Sequence, residues 1–243
     1  MTASIFNMDI RSALRRLTAS APDTDAEALR LLSEAPDDEA RRALADVFAD
    51  GESALPGGLA RVLTGRADAR AIQLLLPLLR NENPRVRNAA RGVLERVGGE
   101  TPGPVYEFSR DPDPRMRIFA TSILGCFTSA PAAVDRLVEM LADADPTVVD
   151  CAIAALGALR AEAAVPQLAE YLARNRSWIR LSALDALMRV GTPAAVRAIL
   201  AALPGADAET AAILVSVLGR LESDAPPDLA AEIRAALARS PAR

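Results

Sequence analysis

Residues 75–94 read LLPLLRNENPRVRNAARGVL, and this stretch contains the pattern on which the whole fold depends. An apolar segment with helical periodicity is followed by the polar turn NENP and by a second segment with the same periodicity. Proline is favoured in the first turn of a helix because its missing N–H has no partner there. The preceding Asn can accept hydrogen bonds from the free amides. The stretch therefore predicts two helices joined by a capped turn.

The same pattern recurs along the chain. Five segments align without gaps from the start of the second helix, and the starts lie 30 to 32 residues apart at Pro84, Pro114, Pro146, Ser177 and Ala208. Apolar residues recur 2, 6, 9, 10 and 13 positions after each start, which draws one stripe along a helix. A single helix hairpin cannot bury its apolar faces, whereas stacked copies bury them in a continuous core. The repeat therefore predicts an all-α solenoid.

The shared motif is L-x-x-x-L-x-[DN]-x-[DN]-P-x-[VM]-R-x-x-A-x-x-x-L, seen in residues 75–94 and in LVEMLADADPTVVDCAIAAL at 137–156, where Val149 replaces Arg. It resembles the HEAT-repeat family, and more closely the short HEAT-like repeats of phycobilisome lyases. The resemblance covers residues 68–222. It implies a right-handed α-solenoid of stacked antiparallel helix pairs, with the second helix of each pair on the concave face. It also implies an Asp/Arg ladder that stabilises the stacking.

The repeats divide the chain into three parts. We expect a degenerate N-terminal helical repeat or cap over 1–66, five repeats over 67–223, and a capping helix with a tail over 224–243, all in one continuous solenoid. In the last part Leu229, Ile233 and Leu237 share one helical face, and charged residues occupy the other. A polar outer face is typical of the helices that cap solenoids.

The composition excludes several kinds of chemistry. The 243 residues include 28 basic side chains, all of them Arg, 32 acidic side chains and no His. Without His there is no Ser-His-Asp or Cys-His catalysis and no His-ligated zinc, and without Lys there is no Schiff-base nucleophile. The two cysteines, Cys126 and Cys151, are interpreted as packing residues. We therefore expect no catalytic residue, no metal site and no cofactor.

The sequence also predicts the cellular location of the protein. The N-terminal residues lack a basic segment followed by an apolar run, and no stretch of about 20 uncharged apolar residues occurs. We therefore expect a cytoplasmic protein with no membrane partner.

An Arg recurs three positions after the start in three repeats, as Arg87, Arg117 and Arg180. Two interpretations are open: a ladder that binds acidic groups of a partner, or pairing with acidic residues of the turns. With Arg91 nearby, the first two repeats form the most basic part of the chain. That cluster is confined to two repeats, and aromatic side chains for base stacking are scarce, which disfavours nucleic acid as the partner.

The columns that flank the core stripe are expected to be at least partly exposed. They become apolar towards the C-terminus, where Ile153, Leu181, Leu184 and Met188 form either a strip for a partner segment or positions buried by superhelical curvature. In the fourth repeat NRSWIR replaces the usual turn, and Trp178 is the only Trp. Trp178 is either a binding anchor or a residue that fills the space left by the missing proline.

We therefore predict a non-catalytic protein–protein interaction scaffold or adaptor that docks a partner protein of unknown identity on its concave surface. The Arg residues of the N-terminal repeats would bind acidic groups, and the C-terminal repeats would supply apolar contacts. Two alternatives stay open. The resemblance to phycobilisome lyases implies a bilin lyase or lyase subunit, and DNA-binding HEAT-like proteins imply a nucleic-acid-binding repair protein.

Overall fold

A computed structural model of the chain describes residues 10–16, 30–32, 34–50, 69–97, 103–128, 130–173 and 177–239. All regular elements in these ranges are helices, and no strand occurs among them. The predicted all-α class is confirmed. No helix in the same ranges is long and apolar enough to cross a membrane. The cytoplasmic location stays a prediction.

The chain forms two compact units, Met1–Ala130 and Pro131–Arg243. The boundary between them falls between the second and third predicted repeats, so the continuity of all five repeats in one solenoid stays a prediction. The described α-helices of the first unit are α1 (Ile10–Arg16), α2 (Asp37–Ala49), α3 (Ala69–Leu75), α4 (Pro84–Val97), α5 (Gly103–Phe108) and α6 (Pro114–Leu124). A 3-10 helix, Leu76–Arg80, continues α3.

The second unit contains three predicted repeats and the predicted cap. Its described α-helices are α7 (Pro131–Met140), α8 (Pro146–Ala158), α9 (Val165–Ala173), α10 (Ser177–Val190), α11 (Pro193–Ala202), α12 (Ala208–Glu222) and α13 (Pro227–Arg239). Short 3-10 helices precede α9 and follow α11, at Glu162–Ala164 and Leu203–Gly205. Within this unit, successive helices pair and stack as the repeat predicts.

The second helix of every repeat begins at the residue that the sequence alignment predicts. The turn Asp143–Pro146 shows why. The Asp143 carboxylate accepts a hydrogen bond from the N–H of Asp145 at 2.9 Å, and the Asp145 carboxylate accepts one from the N–H of Thr147 at 2.7 Å. The same two bonds recur in the turns at Asn81/Asn83 and Asp111/Asp113. The [DN]-x-[DN]-P motif therefore caps the second helix locally in the first three repeats.

The core lies along the predicted stripe. The leucines ten positions after each start are exposed by no more than 2%: Leu94, Leu124, Leu156, Leu187 and Leu218. The alanines six positions after the start are fully buried in four repeats, which lets neighbouring helices pack closely. In α13, Leu229 and Ile233 are buried and Leu237 is half-buried, and the helix packs against α12.

Candidate interaction surface

The recurring Arg residues of the first unit bind the backbone of their own turns. Arg87 donates through Nη1 to the carbonyl oxygens of Asn81 and Glu82, both at 2.8 Å. Arg117 repeats this arrangement with the carbonyls of the turn before α6, at 2.9 and 3.1 Å. The Asn and Asp side chains of these turns accept hydrogen bonds from backbone N–H groups. Arg87 and Arg117 therefore bind carbonyl oxygens of their own turns, a contact that neither interpretation above included, and their pairing with turn carboxylates stays a prediction.

Arg180 makes a contact of a different kind. Its side chain is buried, and Nη1 donates to Asp207 Oδ2 at 2.6 Å and to the hydroxyl of Thr210, so it joins the fourth repeat to the fifth. The N–H of Thr210 and the Arg180 guanidinium both hold the pKa of Asp207 well below its ordinary value. The Arg180 side chain therefore lies buried between two repeats.

Two further contacts between repeats were missed from the sequence. Arg80 pairs with Asp111, which lies 31 residues further on in the turn of the next repeat. The Tyr171 hydroxyl donates to the carbonyl of Leu141, in the preceding repeat. The spacing in the sequence could have indicated both contacts, because two polar residues separated by one repeat length occupy neighbouring positions in stacked repeats.

The basic cluster of the first unit is partly neutralised. Arg91 is half-buried, with Nε 3.8 Å from Glu95 Oε1. Arg115 binds Asp113 at 3.0 Å, and this hydrogen bond lowers the pKa of the Asp113 carboxyl. These charges are therefore shared with acids of the same repeats, which weakens the cluster as a surface for anions.

The expected apolar strip is mostly buried. Ile153 is fully buried and Leu184 is 5% exposed, so the expectation that both are at least partly exposed is wrong. The physical reason is the stacking of repeats. Leu184 lies four positions after Arg180, on the flank of α10 that faces Asp207 in the next repeat. Met188 is half-buried, whereas Leu181 is exposed.

An exposed apolar pair remains on α10. Trp178 is 46% exposed and Leu181 is 48% exposed, and they are the exposed large hydrophobic side chains among the described residues. A separation of three positions places both on one face of the helix. Residues 174–176, including Arg174 and Arg176, lie outside the described ranges, so the role of Trp178 in filling the turn stays a prediction.

The cysteines have raised pKa values. Partial burial raises the pKa of Cys151, and the nearby charges of Asp150 and Asp145 raise it further. Desolvation and the charge of Glu95 raise the pKa of Cys126 in the same direction. Reactive cysteines need a lowered pKa, so neither environment activates a thiolate. The described ranges hold no group of three potential metal ligands.

Comparison with known proteins supports the repeat architecture. Residues 101–188 match the protein family described as HEAT repeats. That match spans the second and third predicted repeats and most of the fourth. It does not test the narrower resemblance to phycobilisome lyases. No curated protein matches the chain.

The chain is also similar to several solved structures. One is an engineered protein, at 18% identity and a TM-score of 0.44, with 94% of this chain and 95% of the other covered. Another is a designed armadillo repeat protein in complex with peptide (KR)4, at 17% identity and a TM-score of 0.44, covering 94% and 98%. Human deoxyhypusine hydroxylase in complex with glycerol is similar at 20% identity and a TM-score of 0.38, covering 94% of each chain. At these TM-scores the similarities carry no argument about function.

Proposed function

We propose that this chain is a non-catalytic protein-interaction scaffold or adaptor that docks a partner protein on the solvent-exposed face of α10. The exposure of Trp178 and Leu181 on one helical turn carries the proposal. Covering a large apolar side chain contributes about 1.5–3 kcal/mol, and Trp is favoured at the centre of protein interfaces. In the HEAT repeats that this chain resembles, the second helix of each pair lines the concave side of the solenoid, and α10 is such a second helix.

The surroundings of the pair suit docking. At the positions equivalent to Leu181, α8 carries Asp150 and α12 carries Ala212, and Ala154 on α8 is small and exposed. The neighbouring helices therefore carry side chains shorter than Leu at the positions equivalent to Leu181. The helix beneath is held in place by Arg180 and its contact with Asp207. A rigid platform lowers the ordering cost of binding.

The proposed docking site contains fewer residues than the site predicted from the sequence. Arg87 and Arg117 already donate through Nη1 to backbone carbonyls, and Arg91 lies 3.8 Å from Glu95, so these guanidinium groups are partly engaged within their own repeats. Ile153 and Leu184 are buried. The docking surface is therefore assigned to Trp178 and Leu181, with Met188 at its edge.

The experiment compares the wild-type chain with the double variant Trp178→Ser/Leu181→Ser. Tagged chains are incubated with extract of the native host, and the proteins retained are identified and then purified for titration. We expect a defined partner that binds the double variant at least about 10-fold more weakly, because central apolar anchors dominate interface energy. Circular dichroism verifies that helix content is unchanged.

The matched control is a double variant whose two substitutions have the same spacing but lie on another helix. Ala132→Ser/Asp135→Ser changes two exposed residues three positions apart on α7, a first helix of a repeat. It should leave the affinity unchanged. Equal affinity of the partner for the wild-type chain and for the Trp178/Leu181 variant would contradict the proposal.

A further inference from the structure

A second concave feature lies at the C-terminal end of the second unit. A cleft of about 640 Å³ separates the end of α11 from α13. Buried Leu203 and Ala211 form part of its lining, with Leu200 and the alanines Ala235 and Ala236 beside them. The volume lies within the range of small-molecule sites, roughly 300–1,000 Å³.

The cleft exists because the C-terminal helix packs unevenly. Leu229 and Ile233 direct the buried face of α13 towards the core, and the helix packs chiefly against α12 and less against α11. On the side that faces α11, Ala235 and Ala236 are too short to reach across. The cleft walls therefore present methyl groups and few polar atoms.

Two charged side chains, Glu232 and Arg239, also line the cleft, and among the described residues only Glu232 has a charged partner. The Glu232 carboxylate accepts hydrogen bonds from Nε and Nη2 of Arg197, with shortest distances of 3.2 and 3.0 Å. Arg239 is exposed, and no residue in the described part of the chain forms a hydrogen bond or ion pair with it. The cleft therefore combines an apolar lining with one positive charge that no described residue pairs.

We propose that this cleft binds an unbranched aliphatic chain with a terminal carboxylate, such as a medium-chain fatty acid. The aliphatic chain lies along the alanine and leucine walls, and the carboxylate binds the Arg239 guanidinium. Arg239 is the donor because α13 ends at this residue, and the free backbone groups at a helix C-terminus are carbonyls, which cannot donate to an anion. This site is separate from the Trp178–Leu181 surface and does not depend on it.

The test is titration of decanoate into the full chain by calorimetry, with decyltrimethylammonium as the charge-inverted probe. We expect saturable binding of one decanoate per chain and at least about fivefold weaker binding of the cationic probe, because it cannot accept from a guanidinium. Arg239→Gln should weaken decanoate binding by about fivefold or more and leave the cationic probe unaffected or tighter. Ala235→Phe, at an exposed position, should fill the cleft and abolish binding of both probes.

The control variant is Arg220→Gln, which removes an exposed guanidinium that does not line the cleft. It should leave decanoate binding unchanged. The proposal is overturned if decanoate shows no saturable binding, if Arg220→Gln weakens it as much as Arg239→Gln does, or if both probes bind with equal affinity. It is also overturned if sedimentation shows a dimer that Ala235→Phe dissociates, since a second copy would then occupy the cleft.

Discussion

Gly157 on α8 packs directly against Ala186 on α10. A Cβ atom added at position 157 would lie 2.7 Å from the Ala186 Cα and 2.9 Å from its Cβ, distances that real Cβ atoms essentially never show. Gly157 is buried by this contact, although it lies in a column expected to be partly exposed. The close approach of the two helices therefore depends on the missing side chain, and it sets the position of the helix that carries Trp178.

Gly157→Ala should destabilise the second unit. The added methyl group meets backbone and not the end of a flexible side chain, so the helices must separate, at a cost of about 1–3 kcal/mol typical of overpacking. Urea unfolding followed by circular dichroism measures the change. The control is Gly219→Ala, at the equivalent position of the fifth repeat, where nothing lies within 4 Å. That variant should be neutral or up to about 1 kcal/mol more stable, because Ala favours helix over Gly. Equal stability of the Gly157 variant and the wild type would refute the close contact.

Arg180→Gln should lower stability by about 1–3 kcal/mol, because it leaves the buried space between two repeats without its charged donor. Thermal unfolding provides the measurement. Arg189→Gln is the comparison, since Arg189 pairs with Asp185 on the surface, with 60% of its side chain exposed. Removing such a pair should change stability by less than about 1 kcal/mol. The double variant Arg180→Gln/Asp207→Asn measures the energy of the ion pair itself, because Asn at position 207 can still cap α12. If the stability losses of the two single variants simply add up to that of the double variant, the ion pair contributes nothing to stability.

Asp145→Ala should cost about 1 kcal/mol, because it removes the acceptor for the N–H of Thr147 at the start of α8. Asp145→Asn should retain most of the stability, since Asn83 fills the same role before α4. The control is Asp135→Ala, which removes an exposed acid from α7. Chemical denaturation distinguishes these outcomes, and equal losses for Asp145→Ala and Asp145→Asn would contradict the capping role.

Acid should weaken the attachment of α13. Arg197 lowers the pKa of Glu232 below its ordinary value of 4.5, so the folded chain holds this proton less tightly than the unfolded chain does. The contribution of the pair is therefore complete above the ordinary pKa, and it is lost as the pH falls through the lowered pKa. The stability difference between the wild type and Glu232→Gln should be constant near neutral pH and shrink below about pH 4.5. A difference that grows with acid would contradict the pair.

Trp178 provides an intrinsic probe because it is the only Trp in the chain. With almost half of its surface exposed, it should emit at long wavelength and be quenched readily by acrylamide. A partner bound on α10 should shift the emission to shorter wavelength and protect it from quenching. Decanoate bound at the C-terminal cleft should leave the emission unchanged, so fluorescence separates the two proposed sites.

The repeat predicts the helix starts accurately because the information is local. Pro146, the acids before it and the apolar stripe after it lie within about 15 residues, and their effects on capping and burial need no distant partner. The capping helix is predicted for the same reason, since Leu229 and Ile233 are separated by one helical turn.

The exposed surface was harder to predict. Leu181 and Leu184 look alike in the sequence, and both lie outside the central apolar stripe, yet one is exposed and the other buried. The difference arises because the next repeat covers one flank of α10, as the contact of Arg180 with Asp207 shows. The periodicity of a single helix does not specify which flank a neighbour covers.

Local sequence is sufficient to predict that this chain forms helix pairs with a shared apolar stripe, and the composition shows that it lacks the side chains of His- and Lys-dependent catalysis. The packing of the helices determines which of the flanking residues reach the surface and leaves a cleft beside α13. It also places Arg180 between two repeats, whereas Arg87 and Arg117 bind their own turns. The physical reason is the range of the interactions. Capping and amphipathicity act within one repeat, whereas exposure and clefts depend on how closely neighbouring helices approach.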